Sequence, residues 1–254
     1  MKKLAIIAAA AAFLGLAQAP VVQAAEEIEI PSHEWSFSGL FGTFDRAKQQ
    51  RGLQVYREVC AACHGLRLVA FRNLTDLGYN EDEIRSLAAE YQVEDGPDEN
   101  GDMFMREGVA SDFFPPPFPN ENAARMANNG ALPPDLSLIT KARQQGPDYL
   151  YHLLLGYQDP PADVEMMEGM YYNAYFPGHQ IAMAPPLMEG VVSYADGTPA
   201  TTEQMAEDLT YFLTWAAEPN LEARKQMGMK VILFLLIFTG LLYAVKRKVW
   251  ADLH

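Results

Sequence analysis

The spacing of apolar positions divides the chain into three parts. An apolar run lies near each end, and between them short helical stripes alternate with long proline-rich loops. Ile84, Leu87, Ala88 and Tyr91 fall at offsets of 0, 3, 4 and 7, the stripe of one helical face, and Asn80 with Glu83 makes a capping pair ahead of them. Leu53, Tyr56, Cys60 and Cys63 share a second helical face that leads directly into His64. Asn120 is placed to cap a helix from Glu121 to Asn128, and Pro147 with Asp148 opens a segment through Leu155. Thr201 with Gln204 opens a helix carrying Met205, Leu209, Phe212 and Ala216, which Pro219 stops. No run alternates convincingly with period two and no segment repeats, so the predicted fold class is mainly α.

The intervening loops are long. Phe113 to Pro119, Gly156 to Pro161 and Tyr172 to Pro186 are rich in proline and aromatics and carry neither helix nor strand pattern. Loops of that length need something to pack against, and a large flat apolar cofactor would serve.

The end runs read as membrane signals. Lys2 and Lys3 precede an apolar stretch from Leu4 to Leu16, and Val22, Gln23 and Ala24 form a small-residue cleavage site. Residues 1–24 are therefore expected to be a signal peptide, with the mature chain beginning at Ala25; cleavage after Ala19 would leave Pro20 first, which suits the peptidase poorly. With no Arg-rich, Ser-rich transit pattern, export by a bacterial secretory route is the expectation. At the other end Val231 to Val245 is uncharged, and Met227, Gly228 and Met229 extend it past Lys230. At ~1.5 Å per residue, Met227 to Val245 spans just under ~30 Å, one bilayer crossing if Lys230 snorkels outward. Lys246, Arg247 and Lys248, followed by Trp250, resemble a cytoplasmic flank with an interfacial aromatic. The expected order is an exported domain at 25–222, an anchor at 223–248 and a cytoplasmic tail at 249–254.

Charge narrows the partners. The 254 residues carry a formal net charge of -14, the wrong sign for binding a phosphate backbone, so nucleic acid is excluded and a basic protein is the natural counterpart. Between Glu81 and Asp112 lie eleven acidic residues against Arg85 and Arg106. Asp95 to Asp102 lacks the alternating spacing and terminal Glu of a calcium loop, and steering of a basic electron carrier is the preferred use of the stretch.

The two cysteines of the chain stand in Cys60-Ala61-Ala62-Cys63-His64, the C-x-x-C-H pattern of covalent c-type haem attachment. Thiols three residues apart on a helical turn can each form a thioether with one porphyrin vinyl group, and the next residue, His64, is carried over the iron as proximal ligand. A Cys60–Cys63 disulfide would close so short a loop that it adds little stability. A thioredoxin-like thiol pair would want a strand ahead of the motif, and none is predicted. For the second axial position His33, His152, His179 and several methionines compete. Met205 and Met126 read as core fillers. Met183 lies in Ile181-Ala182-Met183-Ala184-Pro185-Pro186, where small neighbours allow close approach and two prolines stiffen the loop, so it is the preferred ligand with His179 as its rival. His152 is expected to be satisfied or solvent-facing on its helix. With both axial positions filled, electron transfer is the whole of the haem's work.

The ordered motifs extend well beyond the haem pentapeptide. Arg51-Gly52-Leu53-Gln54-Val55-Tyr56, Asp95-Gly96-Pro97, Met103-Phe104-Met105-Arg106, Asn128 to Leu136, Tyr175-Phe176-Pro177-Gly178, Asp196 to Ala200 and Trp215 to Pro219 together make the chain resemble the cytochrome c1 family, the haem-bearing subunits of ubiquinol-cytochrome c reductase (cytochrome bc1) complexes. The resemblance covers nearly all of the expected mature chain. It implies a cytochrome c-like helical domain with long loops around one covalent haem c, on the periplasmic side of a bacterial inner membrane, plus one C-terminal transmembrane helix beside cytochrome b. It implies His64 and Met183 as axial ligands, Cys60 and Cys63 as thioether partners, Pro133 and Pro134 on the proximal side where a carbonyl could accept from His64, and Arg143 and Tyr149 near the haem propionates. Electrons would come from the Rieske iron-sulfur subunit and pass to a cytochrome c, so that the chain works as part of an enzyme complex without a substrate site of its own. Some bacterial relatives carry an extra disulfide for which this chain has no cysteines. The alternative is a membrane-anchored c-type cytochrome subunit of another respiratory reductase.

Overall fold

The computed structural model describes residues 28–251, so the expected leader lies outside the described residues, as does the end of the chain from residue 252. Helix α1 (Arg46–Glu58) begins at Asp45, whose carboxylate accepts from the amides of Ala47 and Lys48. Tight turns follow at Cys60–Ala62 and Phe71–Leu77. After α2 (Glu81–Ala89) come strands β1 (Gln92–Asp95) and β2 (Phe104–Glu107), then α3 (Glu121–Ala127), α4 (Gly146–Leu155), β3 (Tyr171–Tyr172), β4 (Gln180–Ile181), α5 (Thr202–Ala217) and α6 (Leu221–Val249).

Core packing is organised by the crossing of α1 over α5. At Gly52 the helices come so close that a Cβ would stand 2.0 Å from the Asp208 carbonyl oxygen, and only glycine admits that approach. Leu53, Val55 and Tyr56 of α1 meet a core formed with Met205, Leu209, Phe212 and Trp215 of α5, and Phe71, Leu74, Leu77 and Phe114 close the other side. Helix α5 is buried almost all round rather than along one stripe. Its buried Asp208 is met by Arg51 through Nε at 2.8 Å and Nη2 at 2.9 Å. That pairing accounts for the arginine ahead of Gly52, because a buried carboxylate without a cation would be costly.

The capping expectations match the structure where the partners are local. Asn80 accepts from Asp82 and Glu83, Glu83 returns the bond to the Asn80 amide, and Asn120 accepts from Ala123. Thr201 caps α5 through the Gln204 amide, while the Gln204 side chain reaches Asp208 instead of closing a box. Three expectations are corrected. The helix ahead of the haem motif does not run into His64: it ends at Glu58, and Val59 (φ -119) breaks it into the separate turn at Cys60–Ala62. Met126 is 87% exposed, because α3 spans two turns and buries just Ala124, whereas Met205 is fully buried as expected. Strands do occur. β1 pairs antiparallel with β2 from Gln92 opposite Glu107 to Asp95 opposite Phe104, and β3 pairs with β4 inside a stretch expected to be irregular. The first hairpin has a lone apolar Val93 in one strand and adjacent Phe104 and Met105 in the other, and it is laced by Arg106, which pairs with both Asp95 and Asp112, so no period-two apolar alternation announces it. The second is two residues long, below the length at which a pattern exists.

Helix α6 leaves the domain at the buried Leu221 and is long and apolar enough to cross a membrane, with no part of its apolar window buried in the domain.

Candidate haem site

Cys60 is buried at the start of the Cys60–Ala62 turn, Cys63 is half-buried at its end, and neither is bonded to the other. Backbone bonds from the amides of Cys63 (3.1 Å) and His64 (2.9 Å) to the Cys60 carbonyl wind the pentapeptide tightly. Burial, and secondarily the neighbouring Cys63, push the Cys60 thiol up to about 12. A redox-active pair needs a lowered thiol instead, which argues against the thioredoxin-like reading.

His64 is half-buried, and its Nδ1 lies 2.8 Å from the Pro134 carbonyl oxygen. Burial lowers its pKa, against the Pro134 carbonyl and Asp135, so the ring is neutral at physiological pH. A neutral imidazole donating Nδ1–H to a carbonyl keeps its lone pair on Nε2, the state a metal-binding histidine requires. The residues present thus fit a c-type haem: two unbridged thiols at the right spacing, then an imidazole fixed in the ligating tautomer.

Pro134 reaches His64 across 70 residues because two loop segments are sewn together. The Leu136 amide donates to the Gly65 carbonyl at 2.8 Å, and the Asp135 carboxylate accepts from the amides of Arg67 and Ser137. A Cβ on Gly65 would stand 2.9 Å from Asp135 Oδ2, so the glycine after His64 permits this closeness. The Tyr56 hydroxyl donates to the His64 carbonyl at 3.1 Å and ties the turn back to α1. Pro133 precedes this carbonyl in the same loop.

Met183 is half-buried just after β4, and its carbonyl accepts from the Tyr157 hydroxyl at 3.0 Å. The Met183 loop is thereby fastened to the segment after α4. Asn173, fully buried, organises that segment: its Nδ2 donates to the Leu153 carbonyl, its Oδ1 accepts from the Tyr175 amide, and its amide donates to the His179 carbonyl. Arg143 and Tyr149 meet, the guanidinium partly offsetting the upward push of burial on the phenol. Tyr149 also lies within electrostatic range of Tyr157.

The competing histidines are engaged elsewhere. His179 adopts a left-handed conformation (φ 57), stacks on Tyr172 at 5.5 Å and places Nδ1 3.3 Å from the Asn173 carbonyl. His33 packs between Trp35 and Tyr151. His152 is half-buried on α4, one ring nitrogen bonded to the Pro31 backbone and Nε2 without a protein partner, so it is neither fully satisfied nor fully solvated. Tyr157 and Asn173 were not singled out by sequence pattern, and no spacing signal marks them; Tyr56 was placed on an apolar helical face, a pattern that says nothing of its hydroxyl bond to the His64 carbonyl. Among the described residues no group of three His, Cys, Asp or Glu side chains could hold a separate metal ion, and Asp98 instead caps its own turn through the amides of Asn100 and Asp102.

A neutral, carbonyl-oriented histidine directly after a C-x-x-C turn, in a helical domain that continues into a membrane-length helix, defines a membrane-anchored c-type cytochrome. Comparison with known proteins gives the family: the profile of the cytochrome C1 family matches residues 35–253. The chain is 48% identical to cytochrome c1 of Rhodospirillum rubrum over 89% of each chain, and 51% identical to the mitochondrial cytochrome c1 haem protein of Saccharomyces cerevisiae over 92% of this chain and 77% of that one. It is 50% identical to cytochrome b/c1 of Bradyrhizobium diazoefficiens over 99% of its own length, and there it spans 40% of the relative. The chain belongs to the cytochrome c1 family, the electron-transferring subunits of bc1 complexes that carry a covalent haem c.

Proposed function

We propose that this chain takes single electrons from a Rieske iron-sulfur subunit and passes them to a cytochrome c, with residues 25–222 on the periplasmic side of a bacterial inner membrane. In this reading residues 1–24 are a cleaved leader, residues 223–248 lie beside cytochrome b, and 249–254 form a cytoplasmic tail. The observation that carries it is the 2.8 Å approach of His64 Nδ1 to the Pro134 carbonyl, which readies Nε2 for iron beside Cys60 and Cys63. The haem, when bound, would supply one-electron exchange, and a thioether offered by Met183 would raise its potential. The protein's own residues hold and tune it: Cys60 and Cys63 tether it, Pro134 fixes the His64 tautomer, Tyr157 holds the Met183 loop by its backbone, and Arg143 with Tyr149 is the pair assigned to the propionates.

The acidic stretch supports a basic acceptor. Asp95 and Asp112 are spent on Arg106 and Asp82 pairs with Arg85, but Glu81 and Glu83 stand exposed in the first turn of α2, with Glu94, Asp98, Glu99 and Asp102 exposed nearby in sequence. The ligand assignment is tested by Met183→Leu: the midpoint potential should fall and the weak sulfur-to-iron charge-transfer band of the oxidised protein should vanish. An unchanged potential and band would refute Met183. Electron transfer to a basic cytochrome c should slow steeply as ionic strength rises, and a salt-independent rate would remove the steering proposal.

A further inference from the structure

Ahead of α1 the chain makes a small built projection at the root of α6. Thr43 and Ser36 close its neck, the Thr43 amide donating to the Ser36 carbonyl at 3.0 Å and the Ser36 hydroxyl to the Thr43 carbonyl at 2.8 Å. Within it the Ser38 amide donates to the Trp35 carbonyl, and Gly42 passes so near Ser38 that a Cβ would stand 2.0 Å from its carbonyl oxygen. Phe37 and Phe44 are buried and pack on each other, with Phe37 also against Trp35 and Tyr211. Yet the tip between them presents Leu40 at 55% and Phe41 at 74% exposure, and no charged residue occurs from Trp35 to Phe44. A rigid neck that holds two large apolar side chains outward needs a partner for them.

Its attachment to α6 gives the direction. Glu222 accepts from the Phe44 amide at 2.7 Å and pairs with Arg46. About one turn further along, Lys225 donates to the carbonyls of Phe37 (2.5 Å) and Gly42 (3.3 Å). Moving from Arg46 back to Gly42 therefore means moving down α6 towards its apolar stretch, and Phe37 and Gly42, the two residues that flank the Ser38–Phe41 tip, are both held at the level of Lys225. The apolar stretch opens at Met227, only ~3 Å of rise beyond Lys225. A tip at that level stands at the hydrocarbon boundary, where aromatic and aliphatic side chains are favoured.

We propose that the Ser38–Phe41 tip is a second membrane contact, seating Leu40 and Phe41 in the lipid headgroup boundary beside α6. Together with the span it would fix the tilt of the haem domain over the bilayer, which one helix alone leaves free. The occupant is lipid rather than a protein subunit, because the tip is clamped to the anchor at the depth where the bilayer begins.

The test uses the full-length haem-loaded protein in the complex it purifies in, reconstituted into phosphatidylcholine–phosphatidylglycerol vesicles. With Cys60 and Cys63 occupied by haem, Phe41→Cys offers one thiol for a nitroxide; Leu40→Cys is an independent second variant, and the c-type band verifies folding in each. Relaxation by molecular oxygen, which partitions into lipid, is compared with relaxation by a water-soluble nickel chelate. Leu236→Cys in the span and Glu99→Cys in the acidic loop give the lipid and aqueous references. Oxygen should dominate at 41 or 40, as at 236. A label relaxed by nickel as strongly as at 99 would overturn the proposal, and so would a label shielded from both reagents, which would place a protein subunit over the tip.

Discussion

Arg51→Ala removes the cation that serves a carboxylate with no solvent exposure. Arg51 grips Asp208 through two bonds of 2.8 and 2.9 Å, and its Nη1 reaches the half-exposed Asp196 at 2.9 Å. Gln204 Nε2 at 3.0 Å would remain beside Asp208 as a neutral donor. Stranding one member of a buried pair costs about 3–5 kcal/mol, while the solvated Asp196 contact adds at most about 1. At about 2–4 °C per kcal/mol for a domain of this size, the melting temperature should fall by roughly 6–20 °C. The sign of the pH dependence follows from Asp208, whose carboxyl is already raised by burial while Arg51 pulls it back. Without Arg51 it rises further, so the folded variant holds a proton that the unfolded chain releases. Its stability then falls as pH climbs from about 4 towards the raised value, so the deficit is larger near pH 8 than near pH 5. Thermal melts of the haem-loaded protein at both pH values measure this, with Arg51→Met/Asp208→Leu as partner because replacing the whole pair by apolar groups should restore most of the loss. A deficit below about 1 kcal/mol near pH 8, or one that grows on acidification, would refute the reasoning.

Other perturbations test the remaining joints. Gly52→Ala places a methyl 2.0 Å from the Asp208 carbonyl and 2.7 Å from Phe212 Cβ; overpacking of about 3 kcal/mol, less the gain of about 1 kcal/mol in helix propensity, should lower the unfolding free energy from urea melts by a net of roughly 2 kcal/mol. Tyr157→Phe deletes the 3.0 Å bond to the Met183 carbonyl, worth about 1 kcal/mol, so the sulfur-to-iron band should be lost roughly 0.7 pH unit earlier on alkaline titration, and an unmoved titration would show that the bond does not hold the ligand. Arg106 holds the Asp112 carboxyl below the ordinary carboxylate range, so its contribution to the β1–β2 hairpin is present above about pH 4 and lost as pH falls through the depressed value. Asp112→Asn should therefore speed amide exchange across Gln92–Glu107 near neutrality, and its ratio to the unmodified protein should shrink towards one in acid.

Features whose partners lie within a few residues were legible from sequence. The Asn80–Glu83 box, the Asn120 cap and the haem pentapeptide are local, and their chemistry depends on spacing alone. The apolar run of α6 was legible for a related reason, since a membrane-length span depends on length and composition and not on what packs against it. Met126 was misjudged because a methionine on a helical face is core only where another element covers it, and α3 leaves it uncovered. The β1–β2 hairpin escaped notice because its two strands are joined through Arg106 rather than through alternating apolar positions.

What the sequence determined by itself was the haem chemistry, the anchor and the helical character, all carried by short-range pattern. Tertiary structure decided which of the two expected prolines, Pro133 or Pro134, lends the carbonyl that orients His64, and it alone showed what fastens the Met183 loop and why Arg51 precedes Gly52. The Pro134 carbonyl arrives from 70 residues away, the Tyr157 hydroxyl from 26, and Asp208 from 157. Such contacts depend on loop closure and on two helices crossing at a glycine, and no periodicity along a single chain encodes which distant backbone atom will be brought within hydrogen-bonding reach.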